Sequence, residues 1–148
     1  MRILIAAVCA LPFAAADADD FPTPRMLKGM EKGQWKVETL EHSAVKPGQK
    51  LPAMTMCIDN LMKQAKEHQA AKGERQCKPR LVMDGSDEAV MEMACPQRTV
   101  ITTMKRESSK TVLADMQASG DHPAHVKMRY THLGPCRKGQ AAFSRDKK

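Results

Sequence analysis

Four cysteines, twelve methionines and a late group of histidines are the residues with the most distinctive chemistry in this 148-residue chain. Cys57, Cys77, Cys95 and Cys136 form an even set, and a fifth, Cys9, lies inside an apolar N-terminal run that export would remove. An even set in an exported chain reads as two disulfides. No C-x-x-C spacing occurs, which argues against a structural zinc. Three pairings of four cysteines are possible. The local one, Cys57–Cys77 with Cys95–Cys136, is preferred because its first bridge clips an expected helical insertion. Closing that loop of about 20 residues is worth roughly 3 kcal/mol in the chain-entropy account. The rival pairs Cys77 with Cys95 and Cys57 with Cys136. It is geometrically sound, since pairing residue 83 with 89 across the turn at 84–87 brings 77 opposite 95.

Met-x-Met occurs at Met54/Met56 and at Met91/Met93, and His122, His125, Met128 and His132 follow late in the chain. Thioethers and imidazoles suit copper in an oxidising compartment. Two methionines at strand spacing share one face, however, and here that face is the core face. Copper is therefore the alternative reading, and adaptable methionine packing the leading one. A hydrolase needs a nucleophile beside a base and an orienting acid. Ser43, Ser86, Ser108, Ser109, Ser119 and Ser144 all fall in polar turns or the tail, and oxidised cysteines offer no thiolate. The expectation is a non-enzymatic domain without a cofactor.

The elements that would position these groups are mainly strands. Apolar residues alternate with polar ones over 34–39, 52–58, 78–83, 88–95, 98–105, 111–117 and 125–133, with turn residues between them. Residues 61–71 (LMKQAKEHQAA) are good helix formers behind Asp59 as N-cap and before Gly73. The expected fold is mainly β: an antiparallel meander of about seven strands forming a curled sheet or partly closed barrel, with one helical insertion. Trp35, Val37, Leu81, Val100, Val112, Val126 and Tyr130 are the expected interior, with Met54, Met56, Met83, Met91, Met93, Met104, Met116 and Met128.

The first sixteen residues carry Arg2, an apolar run from Ile3 to Phe13 and Ala14-Ala15-Ala16. That is the pattern of a cleaved signal peptide, and it is too short for a membrane span. Cleavage near Ala16 would deliver the chain to the periplasm. Residues 17–28 are expected as a flexible leader, 29–136 as a single disulfide-stapled domain and 137–148 as a basic tail. The formal charge is +7, and losing Arg2 leaves +6. One Trp, one Tyr and three Phe are too few for a stacking surface, so specific nucleic-acid recognition is not expected. An apolar ligand, a peptide or an anionic envelope surface fits better.

Lys32-Gly33-Gln34-Trp35-Lys36-Val37, Met54-Thr55-Met56-Cys57-Ile58, the cysteine-bounded hairpin from Cys77 to Cys95 and the closing Leu133-Gly134-Pro135-Cys136 together resemble the exported bacterial domain-of-unknown-function 3617 family. The resemblance runs over most of 29–136. It is poorer over 59–76, where this chain carries a Lys/Glu-rich stretch. It implies a small periplasmic β-rich domain with no assigned activity and no catalytic residues.

Overall fold

The computed structural model describes residues 22–30, 32–46, 48–58 and 77–138. The expected signal peptide over 1–16, the helix over 61–71 and all but the first two residues of the basic tail lie outside them.

Seven strands appear, and the alternation places all seven: β1 (Gly33–His42), β2 (Met54–Ile58), β3 (Lys78–Asp84), β4 (Glu88–Ala94), β5 (Arg98–Ser108), β6 (Thr111–Gly120) and β7 (Ala124–Gly134). Every pairing is antiparallel, in one sheet of order β2-β1-β7-β6-β5-β4-β3. β3 to β7 form the meander, and the β1–β2 pair joins it through β1 against β7. The sheet is not closed into a barrel. Among the described residues β2 and β3 are its edges. With seven alternating strands the two edges run in the same direction, so closure by an antiparallel ladder is ruled out by parity.

Pairing in register lines apolar residues up in rows across the strands, with Arg106 beside Val112 and Asp84 beside Ala89. Trp35 lies beside Met56 and His132, and Val37 beside Tyr130, which faces Val112. Met104 lies between Ala89 and Ala114. These rows bury Trp35, Val37, Met56, Ile58, Ala89, Met91, Met104, Val112 and Ala114. The opposite face carries the charges, including ion pairs Arg80–Glu92, Lys127–Glu41 and Arg129–Glu107.

The apolar face is covered at one end by a short segment before β1, here called the strap (residues 22–30). A single 3-10 turn, Arg25–Leu27, shapes it. Met26 is 1% exposed and packs among Ala89, Met91, Met104, Val112 and Ala114. Met30 packs against Trp35, Val37, Met56 and Ile58 as well. Two strap residues four positions apart thus reach strands at opposite sides of the sheet, which requires the sheet to curl around them. The Arg25 backbone N–H donates to Asp84 Oδ1 at 2.7 Å, and its side chain reaches the Asp84 carbonyl and carboxylate. The leader expected over 17–28 is therefore corrected in its second half. Pro24 and Met26 are fully buried, because a curled sheet with few aromatics needs an inserted side chain to fill its centre.

Four single-residue bulges interrupt the ladders. The registers skip Leu40 in β1, Val82 in β3, Glu107 in β5 and Leu133 in β7. A bulge re-aims the residues around it. Met83, expected in the core, consequently pairs with Val90 on the charged face and is 42% exposed. Leu40, Val82 and Leu133 are exposed as well.

The cysteines pair Cys57–Cys136 and Cys77–Cys95, with Cα separations of 5.5 and 4.1 Å. The preferred local pairing is thus overturned in favour of its rival. The reason is register: below the bulge at Val82 the hairpin pairs Lys78 with Ala94 and Pro79 with Met93, which leaves Cys77 opposite Cys95. Cys57 lies across Gln34 of β1, whose other neighbour is Gly134, two residues before Cys136. Each bridge secures an edge strand, which has a hydrogen-bonded neighbour on one side only.

Candidate functional site

Two places offer concave or polar surface. The first is the half of the apolar face that no other described residue covers. The strands enter this half through Leu81, Met93, Val100, Thr102, Met116 and Val126, all half-buried. Register links them: Met93 to Val100, Thr102 to Met116, and Met116 to Val126. None belongs to either buried cluster, both of which gather around the strap. No charged side chain is buried among the described residues. The half-face is therefore an apolar trough with soft, polarisable walls. Ala118 and Ala124, opposite each other at its outer end, keep it shallow in side-chain volume.

The second lies at the same end on the charged side. A cavity of about 450 Å³ opens between the end of β1, residues 43–51 and β7, lined by Leu40, Glu41, His42, Val45, Lys46 and His125 among others. Reciprocal bonds hold its wall. The Ser43 N–H donates to the His125 carbonyl at 2.9 Å, and the His125 N–H donates to Ser43 Oγ at 3.0 Å. The His125 ring sits between two carboxylates, with Nε2 3.0 Å from Asp115 Oδ1 and Nδ1 3.9 Å from Glu41 Oε2. Serine, histidine and aspartate thus come together without forming a nucleophilic triad. Both ring nitrogens face acids, and the hydroxyl oxygen is engaged by backbone.

The late histidines and methionine are not brought together. Strand alternation sends His125 to the charged face, and Met128 and His132 to the apolar one, while His122 is exposed in the β6–β7 turn. His132 packs on Trp35 with ring centroids 5.1 Å apart, its Nε2 3.3 Å from the Lys32 carbonyl. Tyr130 packs against both buried clusters, its hydroxyl directed at Met128 Sδ at 3.8 Å. Burial pushes its phenol above the ordinary value of 10.0. Among the described residues no group of three or more His, Cys, Asp or Glu could hold a metal. The Met54/Met56 and Met91/Met93 pairs do share the apolar face, Met56 and Met91 buried, Met54 half-buried beside Val37, and Met93 in the trough.

A model of the family described as protein of unknown function, DUF3617, matches residues 30–136. The chain belongs to the DUF3617 family. The matched span holds all seven strands and both disulfides, and ends on Cys136 itself. It starts at Met30, so the plugging residue Met26 and its Arg25 clamp stand before it. No curated protein and no solved structure matches the chain.

Sequence reading did not find the strap, the bulges or the Glu41–His125–Asp115 contact. Pro24 before an apolar Met-Leu pair is a faint signal for the strap. Only the bulge at Leu133 has a glycine beside it, Gly134, and the acids that flank His125 come from two other strands.

Proposed function

We propose that this DUF3617 chain is an exported, periplasmic, non-enzymatic binding domain whose methionine-lined trough takes up an apolar ligand. The observation that carries the reading is the unequal covering of one apolar face. Met26 seals the half near the strap, whereas Met93, Val100, Met116 and Val126 are half-buried in neither cluster. Thioether side chains adapt to ligands of irregular outline, and concave apolar surface with few polar groups suits such ligands. The N-terminal run ending in Ala14-Ala15-Ala16 and the two cysteine pairs support export to an oxidising compartment. The absence of nucleophile–base geometry around Ser43 and His125 supports a binding role over a hydrolytic one.

The test is fluorescence titration of the oxidised chain with an anilinonaphthalene sulfonate dye, alongside native mass spectrometry of protein taken from cells. Saturable dye binding that Met116→Asp weakens at least tenfold is the expected result. A dry, dye-silent protein with no co-purifying mass would end the reading. The copper alternative rests on the paired thioethers alone. It is retired if Cu(I) titration finds nothing tighter than micromolar.

A further inference from the structure

The end of the sheet opposite the trough carries a second surface. Leu133 is 52% exposed there, although it lies in a strand whose neighbours on either side, His132 and Gly134, both pair with β1. It is the bulged residue: β1 advances one position, from Gln34 to Trp35, while β7 passes two. The ladder thus turns a leucine away from the sheet's hydrogen bonds, at a point crowded with cations. The His132 N–H donates to the Lys110 carbonyl at 2.8 Å, and its ring lies 3.3 Å from the Lys32 carbonyl, so Lys110 and Lys32 flank the residue next to Leu133. The Cys57–Cys136 bridge holds the chain immediately before Arg137 and Lys138 against β2. Lys28, Lys32, Lys110 and Lys138 are exposed and enter none of the ion pairs between described residues. Among the described residues the acids of this end are placed elsewhere. Asp84 is taken by Arg25 and Glu107 by Arg129, and Asp87 and Glu88 lie at the β3–β4 turn, four strands from β7.

We infer that this patch, Leu133 with its neighbours Lys32, Lys110 and Lys138, docks the protein on an anionic phospholipid surface. One projecting aliphatic side chain with basic neighbours matches the chemistry of a headgroup layer, where ammonium groups meet phosphates and the leucine enters the acyl boundary. A soluble polyanion has no use for the leucine. The patch is separate from the trough, which faces the other end of the sheet. A failure of the dye test leaves it standing, and its own failure leaves the trough untouched.

The experiment is co-sedimentation of the oxidised full-length chain with vesicles of phosphatidylglycerol and phosphatidylcholine, against phosphatidylcholine alone. Binding to the anionic vesicles that weakens as salt is raised is the expected result. The pair Lys32→Glu with Lys110→Glu should cut partitioning by about 25-fold, at about fivefold per lysine. Leu133→Ser should reduce it at unchanged salt dependence. The pair Lys46→Glu with Lys50→Glu, at the other end, is the control and should change partitioning less than twofold. Matching thermal melts show that the variants fold. Equal binding to neutral vesicles overturns the inference, as does equal loss in the control pair. So does binding to a short DNA duplex as tight as to the vesicles with no effect of Leu133→Ser, which would mark a general polyanion site.

Discussion

The two halves of the apolar face are built from the same strands and the same alternation, yet one is sealed and the other is not. The sealed half receives Met26 from a segment of nine residues, and Ala89, Met91, Met104, Val112 and Ala114 around it are buried. In the open half the rows continue through Met93, Val100, Met116 and Val126, and none of them reaches full burial. Alternation decides which face of a strand is apolar. It does not decide whether anything lies over that face. Covering is a tertiary property, supplied here by one side chain and one clamp. The difference separates residues that hold the fold from residues free to serve a ligand.

The disulfides give the largest test of that difference, because one sits at each end. Cys57–Cys136 closes 79 residues of sequence and Cys77–Cys95 closes 18. Loop-closure entropy alone assigns them about 4.5 and about 3 kcal/mol. Denaturant melts of the two double cysteine-to-alanine variants should show the bridge at the sealed end to be the more costly to lose. Equal losses would mean that the unfolded chain is already constrained around 57 and 136. Next in size is methionine truncation. Met26→Ala should cost about 2–5 kcal/mol, as for a buried side chain left as a cavity, and Met116→Ala roughly half as much or less. If the two cost the same, the trough is as well packed as the plugged half and the comparison collapses.

The smallest effect is a pH dependence that sharpens the boundary between the halves. Tyr130 packs against both clusters, and burial raises its pKa above 10.0. A group whose folded pKa is raised contributes stability that is whole below the unfolded value and is lost as pH rises through the folded one. The native protein should therefore weaken above about pH 10, where the unfolded phenol ionises and the folded one does not. Tyr130→Phe should flatten that part of the curve while leaving the lysine contribution in place. An unchanged slope would put the phenol in contact with water.

Much of the scaffold was legible because period-two alternation and turn residues are local signals. Lys36 beside Val37, or Asp115 between Ala114 and Met116, reveals a strand without reference to any partner. The disulfide framework was legible as two alternatives, but the pairing of 83 with 89 behind the correct one is itself corrected: Met83 pairs with Val90, and the bulge at Val82 restores the register that sets Cys77 opposite Cys95. Preference went instead to sequence proximity, which carries no information about which strands become neighbours. β1 pairs with β7, 84 to 100 residues away in sequence, and that contact brings Cys136 within reach of Cys57. Bulges were illegible for a different reason. Val82, Leu40 and Leu133 are good strand residues, so nothing local distinguishes the one that steps out of the ladder. The consequence for Met83 was a wrong face, one register step beyond Leu81. Of the surfaces, the apolar trough was legible as alternating methionines, whereas its openness depended on where the strap ends.

The parity of the sheet limits how copies of this protein can assemble. With β2 and β3 running the same way, a copy placed beside another in the same orientation would meet it through a parallel ladder, the slightly weaker kind. Open-ended, head-to-tail stacking of sheets is thereby disfavoured by direction alone, before any charge or bulge is counted. A favourable edge-to-edge contact needs one copy turned by half a revolution, β2 on β2 or β3 on β3, which is the geometry of a closed pair. An odd count of strands thus biases edge contacts toward pairs of like edges, a preference that no single residue supplies.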